Sequence, residues 1–220
     1  MQLNMYIDHT ILKTSATEAD VQKICHEAKE FKFCSVCVNS GWVPLVKKEL
    51  AGSGVKVCAV VGFPLGAMSM GAKVFEAKHT ADAGADEIDM VINVGLLKSG
   101  HDDAVREEIR AIKEAIGTKI LKVIIETCYL TDDEKKKACK LSVEAGADFV
   151  KTSTGFGTGG ATPEDVKLML DEVKGKALVK ASGGVRDAEA AKMYIDMGVR
   201  RLGTSNGIQI VSGETAKGGY

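Results

Sequence analysis

Four ionisable residues stand inside apolar runs of this chain, where a charge is costly unless something answers it. Lys151 follows Phe149-Val150 and precedes Thr152-Ser153-Thr154-Gly155, and Lys180 follows Leu178-Val179 and precedes Ala181-Ser182-Gly183-Gly184. Lys122 lies in the run Ile120-Leu121-Lys122-Val123-Ile124-Ile125, and Asp89 in Ile88-Asp89-Met90-Val91-Ile92. A buried, unpaired charge is strongly unfavourable. A single strand lysine ordinarily snorkels to water or pairs with a carboxylate. Barrel interiors also hold charged layers, so a structural role for Lys122 stays open. Three lysines and an aspartate on successive strands form a candidate site instead. The chemistry they offer is that of an amine nucleophile. An ammonium of ordinary pKa, about 10.4, holds almost no free amine near neutrality. A second ammonium beside it, or an apolar pocket, favours the free amine. Lys151 and Lys180, on adjacent strands, make such a pair. The amine attacks a carbonyl, the iminium withdraws electrons from the adjacent carbon, and Asp89 moves protons directly or through water.

Two glycine-rich segments add an anion site. Ser182-Gly183-Gly184-Val185-Arg186 follows the seventh strand, and Gly203-Thr204-Ser205-Asn206-Gly207 follows the eighth and opens a short helix. Glycines let backbone N–H groups approach a phosphate, and a helix start favours the anion. Gly155, after Thr154, adds a third wall. The alternative is a set of ordinary tight turns. Metal chemistry lacks support: His9, His26, His79 and His101 are scattered, without a paired-ligand helix, so no metal and no cofactor are expected. Cys34-Ser-Val-Cys37 falls in a strand, where positions three apart face opposite ways, so a redox pair is discounted. Cys37 either lines the mouth or packs. The tail Lys217-Gly218-Gly219-Tyr220 is either disordered or carries a mobile tyrosine that shuttles protons.

The elements that must position these residues alternate. Apolar runs at Met5–Asp8, Ser35–Asn39, Lys56–Gly62, Glu87–Asn93, Ile120–Glu126, Phe149–Thr152, Leu178–Ala181 and Arg201–Thr204 read as strands. Helical stripes separate them: Val21, Ile24, Cys25, Ala28 and Phe31; Val105, Ile109, Ile112 and Ile116; Val166, Met169, Leu170 and Val173. Thr131 and Glu134 have capping-box spacing, and Thr162-Pro163-Glu164 opens another helix. Eight strand–helix units predict a parallel sheet closed as an α/β, (β/α)8 TIM barrel, with residues 1–220 one domain and a flexible tail from about 213 to 220. An internal echo supports it. Gly84, Gly146 and Gly198 each close a helix before a strand, and five residues on stand Asp89, Lys151 and Gly203. Those three positions are therefore equivalent, in the half of the strand that faces the catalytic mouth.

Length and charge fit this reading. The 220 residues suit one barrel domain, and a formal net charge of -1 carries no nucleic-acid or membrane-surface footprint. No segment reads as a signal or a membrane span, so a cytoplasmic location is expected. The six dispersed cysteines read as reduced and buried.

The segments Ile7-Asp8-His9-Thr10, Val36-Cys37-Val38, Val61-Gly62-Phe63-Pro64-Leu65-Gly66, Glu87–Asn93, Lys151-Thr152-Ser153-Thr154-Gly155-Phe156 and Lys180–Arg186 resemble those of the deoxyribose-phosphate aldolase family. The resemblance runs from near residue 7 to the terminal tyrosine. It implies a class I aldolase that cleaves 2-deoxy-D-ribose 5-phosphate between C2 and C3, through a Schiff base on Lys151, with Asp89 and Lys180 handling protons. It further implies that Asp8, Thr10 and Thr154 orient sugar hydroxyls and that Tyr220 is the family's C-terminal tyrosine, while the loops leave Gly155, Gly183, Gly184, Gly203, Ser205 and Asn206 as the phosphate cradle. A homodimer is the implied assembly. Phe156 departs from the pattern, since some members carry lysine there, which removes one side-chain contact to phosphate and leaves the backbone cradle. The residues alone leave two rivals: a phosphate-binding barrel isomerase or synthase using Lys151 electrostatically, and a silent phosphosugar-binding or redox-responsive protein.

Overall fold

In the computed structural model, which describes residues 2–213, eight parallel strands pair in chain order and close on themselves. They are β1 (Ile7–Thr10), β2 (Ser35–Asn39), β3 (Lys56–Val61), β4 (Glu87–Val91), β5 (Ile120–Ile124), β6 (Phe149–Lys151), β7 (Leu178–Ser182) and β8 (Arg201–Thr204). The connecting helices are α1 (Glu18–Phe31), α2 (Val43–Glu49), α3 (Met70–Asp82), α4 (Val94–Lys98), α5 (Asp102–Ile116), α6 (Asp132–Glu144), α7 (Pro163–Val173), α8 (Ala188–Met197) and α9 (Gly207–Ser212). The architecture is the expected (β/α)8 barrel. The tail from residue 214 on, with Tyr220, lies outside the described residues.

The period-2 rule of strands divides the chain into two interiors. Alternate strand residues such as Val36, Val57, Ile88, Met90, Leu121, Val123, Val150, Val179 and Leu202 pack outward against the helices and form the main core. The helices supply their apolar stripes as expected: Val105, Ile109, Ile112 and Ile116 of α5 are all buried. The residues between them on the strands point into the barrel. There Cys37, Cys58 and Val60 of β2 and β3 join Leu12 in a small apolar cluster with Phe63 against it. Much of the rest of the inner wall is charged. Where barrels ordinarily stack branched apolar side chains, this one stacks carboxylates, lysines and an arginine.

Capping fixes where the helices begin. Thr131 and Glu134 form the expected box, the Thr131 hydroxyl accepting from the Glu134 N–H at 3.3 Å and Glu134 accepting from the Thr131 N–H at 2.8 Å. Thr162 caps α7 by accepting from the Asp165 N–H at 3.1 Å. Asp89, Lys151 and Gly203 each fall at the third residue of their strand, as the echo of the glycines predicts. The first strand begins two residues later than the apolar run suggests. Leu3–Tyr6 wind into a 3-10 turn instead. The true strand, Ile7–Thr10, has two polar inner residues, Asp8 and Thr10, so its hydropathy hides it. Four other strands end earlier than read: Gly62 and Glu126 turn at positive φ, Asn93 caps α4, and β6 stops one residue short at Lys151.

Candidate active site

The inward charges form a closed ring. Arg201 bonds Asp8 through Nη1 and Glu87 through Nη2, the latter at 2.5 Å. Asp8 Oδ2 makes ion-pair contact with Lys180 Nζ at 2.5 Å, and Lys180 donates to Asp89 Oδ2 at 2.8 Å. Asp89 Oδ1 accepts from Lys122 at 2.8 Å, and Lys122 meets Glu87 Oε2 at 2.6 Å, which returns to Arg201. Charge alternates around these six residues, three cations and three carboxylates. Lys151 hangs outside the ring. It donates to Asp89 Oδ2 at 2.9 Å, the oxygen that also holds Lys180, and has no other carboxylate among the described residues.

Strand register explains the assembly. Asp89 lies beside Lys122, Lys151 beside Lys180, and Lys180 beside Arg201. Neighbours in register on parallel strands project to the same side, so seven inner positions converge in the bore. The field of the ring fixes its members' charges. Burial alone would raise the Asp89 carboxyl, but Lys122, Lys151 and Lys180 outweigh it and hold it well below the ordinary range. Burial likewise opposes the charge on Asp8, and Lys180, Lys122 and Arg201 outweigh it to hold that carboxyl down. Burial would lower Lys180, yet Asp8 and Asp89 hold it above its usual value. Lys180 therefore remains a cation, pinned between two carboxylates.

Only one of these cations lines the cavity at the barrel's mouth. A cavity at the C-terminal mouth of the barrel is walled by Lys151, Thr10 and Leu12, by Thr154 and Gly155 after β6, by Ser182 to Arg186 at and beyond the end of β7, and by Gly203 to Asn206 at and beyond the end of β8. Lys180, Lys122 and Asp89 are fully buried. The glycines of the wall are there for want of room. A Cβ on Gly203 would stand 2.8 Å from Ser182 Cβ and 3.1 Å from Lys180 Cε, and one on Gly183, at φ +79, would stand 2.9 Å from Gly160 Cα. The N–H groups of Gly184 and Ser205 bond to nothing among the described residues, and Arg186 at the rim makes no ion pair among them.

The residues expected from the sequence fall into three groups. Lys151, Thr10, Thr154, Gly155, Gly183, Gly184, Gly203, Ser205 and Asn206 line the cavity. Asp89 and Lys180 lie directly beneath Lys151, within the ring. Asp8 and Cys37 do not reach the wall. Asp8 is fully buried under Lys180 and takes the Ser35 hydroxyl at 2.7 Å, and Cys37 packs in the apolar cluster. Cys37, Cys58 and Asp89 bring three ligand-type atoms within 4.8 Å of one another, but the Lys122 ammonium already engages two of them, Cys58 Sγ at 3.2 Å and Asp89 at 2.8 Å. Phe156, the departure from the family pattern, meets Phe63 edge-on with ring centroids 5.3 Å apart.

Sequence reasoning missed Glu87, Arg201 and Glu126. Glu87 could have been found, since it stands two residues before Asp89 and so shares its face. Arg201, first in its strand, reads as a boundary charge. Glu126 adopts a left-handed turn at φ 54, and its carboxylate takes both the Thr154 N–H, at 3.0 Å, and the Thr154 hydroxyl. It thereby anchors the loop that carries one wall of the cavity.

A barrel with one cavity-lining lysine over a buried carboxylate, beside glycine-rich loops, has the parts that amine chemistry on a carbonyl requires. Comparison with known proteins gives the family. Residues 3–212 match the model of the DeoC/LacD family aldolase, and the chain belongs to that family. It is 61% identical over 213 residues to the deoxyribose-phosphate aldolase of Finegoldia magna, covering 97% of this chain and all of that one. The solved structure of QR15, an aldolase, superposes with a TM-score of 0.92 at 42% identity, covering 96% of this chain and 94% of that one. The deoxyribose phosphate aldolase of Aeropyrum pernix, described as having a unique tetrameric structure, matches at 0.88 and 32% identity over 96% of this chain and 89% of that one.

Proposed function

We propose that this aldolase reversibly cleaves 2-deoxy-D-ribose 5-phosphate to acetaldehyde and D-glyceraldehyde 3-phosphate through a Schiff base on Lys151. The substrate is the one its relatives are named for. The observation that carries the lysine assignment is that Lys151, alone among the cations of the buried cluster, lines the open cavity. The ring beneath it is neutral, so Lys151 is the one cation in excess, and loss of its proton leaves the whole cluster neutral.

The free amine adds to the C1 aldehyde of the open-chain sugar, and water leaves as the imine forms. A base takes the C3 hydroxyl proton, the C2–C3 bond breaks, and its electrons move into the iminium to give an enamine. Glyceraldehyde 3-phosphate departs. A proton then returns to C2, and water hydrolyses the imine to release acetaldehyde. Asp89, bonded to both Lys151 and Lys180, orients the amine and links it to a proton reservoir. Thr10 and Thr154 face the sugar hydroxyls. Phosphate lies against Gly184 and Ser205 N–H groups with Arg186 at the rim, which offers a cation in place of the one Phe156 lacks. In this reading Asp8 serves the ring and holds Lys180, not the sugar.

The six cysteines are free, as in a reducing compartment, and no helix among the described residues is long and apolar enough to cross a membrane. We place the protein in the cytoplasm on that basis, and as a homo-oligomer on the family resemblance. Sedimentation gives the assembly, and cell fractionation the compartment. The activity is tested by incubating the protein with 2-deoxy-D-ribose 5-phosphate and following both aldehydes. Wild type releases them in equal amounts, and Lys151→Ala releases neither. Sustained cleavage by Lys151→Ala overturns the assignment.

A further inference from the structure

The ring extends from the mouth of the barrel to its floor, and its far side touches no reacting atom. Arg201 and Glu87 open their strands, while Lys151 ends its own. Arg201 is largely buried, with 9% of its side chain exposed, and its guanidinium lies 5.8 Å over the Phe149 ring, two residues below Lys151 on the same strand. Glu87 and Phe149 are buried as well. A guanidinium does not give up its proton in a protein, so Arg201 is a fixed charge, and its burial leaves water little room to screen it.

We propose that Arg201 and Glu87 are positioning residues that set, from the barrel floor, the pH at which Lys151 becomes reactive. This rests on the Schiff-base reading of Lys151. Two chains of alternating charge connect the floor to the nucleophile. One runs from Arg201 through Asp8, Lys180 and Asp89 to Lys151; the other runs from Arg201 through Glu87, Lys122 and Asp89. The charge count decides the sign. With the ring intact, three cations balance three carboxylates and Lys151 is surplus. Without the Arg201 charge, the cluster balances only if Lys151 keeps its proton. Without the Glu87 charge, two cations are surplus and Lys151 gives up its proton more readily.

The other groups around Lys151 do not compensate. β2 and β3 present the Cys37 and Cys58 thiols. Burial raises Cys58 well above its ordinary range, so it stays neutral. Cys37 is lowered by its contact with Cys58, its neighbour in register, and forms no ion pair with Lys151. Glu126, after β5, is committed to Thr154, and Arg186, after β7, stands at the rim of the cavity. No other charged group enters the bore among the described residues. A unit charge on the order of 10 Å away, at an effective dielectric near 20, moves a titration by about one pH unit.

The test measures acetaldehyde trapped on Lys151 by borohydride as a function of pH, with the adduct mapped by peptide mass spectrometry. Glu87→Gln, nearly isosteric, should lower the midpoint by about one unit, and Arg201→Met should raise it by about as much. Arg201→Lys restores the cation and should return the midpoint toward wild type. The paired E87Q/R201M variant, which removes one charge of each sign, should do the same and keeps the test open if Arg201→Met alone does not fold. Structural damage alone would not move two variants in opposite directions. Midpoints that stay fixed, or shift the same way, while Lys151 still forms the adduct overturn this inference alone. Absence of any adduct in folded wild type overturns the Schiff-base reading and this inference with it.

Discussion

Replacing Asp89 by asparagine removes the one charge that four groups share. Asp89 accepts from Lys122 at 2.8 Å, Lys151 at 2.9 Å, Lys180 at 2.8 Å and the Cys58 thiol at 3.2 Å. Asparagine keeps the shape and one acceptor but turns an N–H2 toward ammonium groups. Stripping a partner from a buried ion pair costs about 3–5 kcal/mol. Lys122 keeps Glu87 and Lys180 keeps Asp8, so the loss is not threefold, and about 4 kcal/mol is expected at pH 7. For a chain of 220 residues that is a fall in Tm of about 8–16 °C. Its pH dependence has a definite sign. The Asp89 carboxyl is held well below its ordinary range, burial being outweighed by the three lysines. Its stabilising contribution is therefore complete above the unfolded-state value, about 3.9, and is lost as pH falls toward the folded-state value. The gap between wild type and Asp89→Asn should be full at neutral pH and close progressively below about pH 4. Urea unfolding followed by circular dichroism across that range measures it. A variant within about 1 kcal/mol of wild type at pH 7 would refute the ring as an electrostatic unit.

Other positions separate the site from the scaffold. Gly203→Ala, whose Cβ meets Ser182 and Lys180, should keep the fold and lower kcat by about 10-fold or more by displacing Lys180; steady-state kinetics read it. Arg186→Ala should raise KM for the phosphorylated sugar by about 10- to 100-fold, the worth of a charge-assisted contact, while acetaldehyde trapping on Lys151 is unaffected. Lys73 lies outside the bore, fully buried, donating to the Val91 carbonyl at 2.8 Å and paired with Glu108 at 2.9 Å. Lys73→Met orphans Glu108 and should cost about 3–5 kcal/mol in urea titration, with kcat per folded molecule unchanged.

Much of this was legible beforehand, for physical reasons. Strand periodicity and the repeated helix-closing glycine placed Asp89, Lys151 and Gly203 at equivalent positions, because glycine marks a helix end and chain counting then carries the register. The glycine-rich loops were legible because close approach leaves no room for a side chain. The ring was not. Lys122 read as ambiguous, since pairing depends on what faces it across the bore, and Arg201 read as the edge of a strand. That Lys180 would itself be held by two carboxylates was not legible, because Asp8 and Asp89 come to it from other strands across the bore. Asp8 came from resemblance alone, and its strand was read two residues early because its inner face is polar. Glu126 lies in a turn, where no periodicity announces it.

The most direct measurement is the site of the reduced acetaldehyde adduct in wild-type protein. After borohydride treatment, peptide mass spectrometry should find an ethyl group on Lys151, with Lys180 and Lys122 unmodified. An ethyl group on Lys180 or Lys122 instead, or turnover of the phosphosugar with no covalent adduct, contradicts the assignment of Lys151 as the one cation free to react.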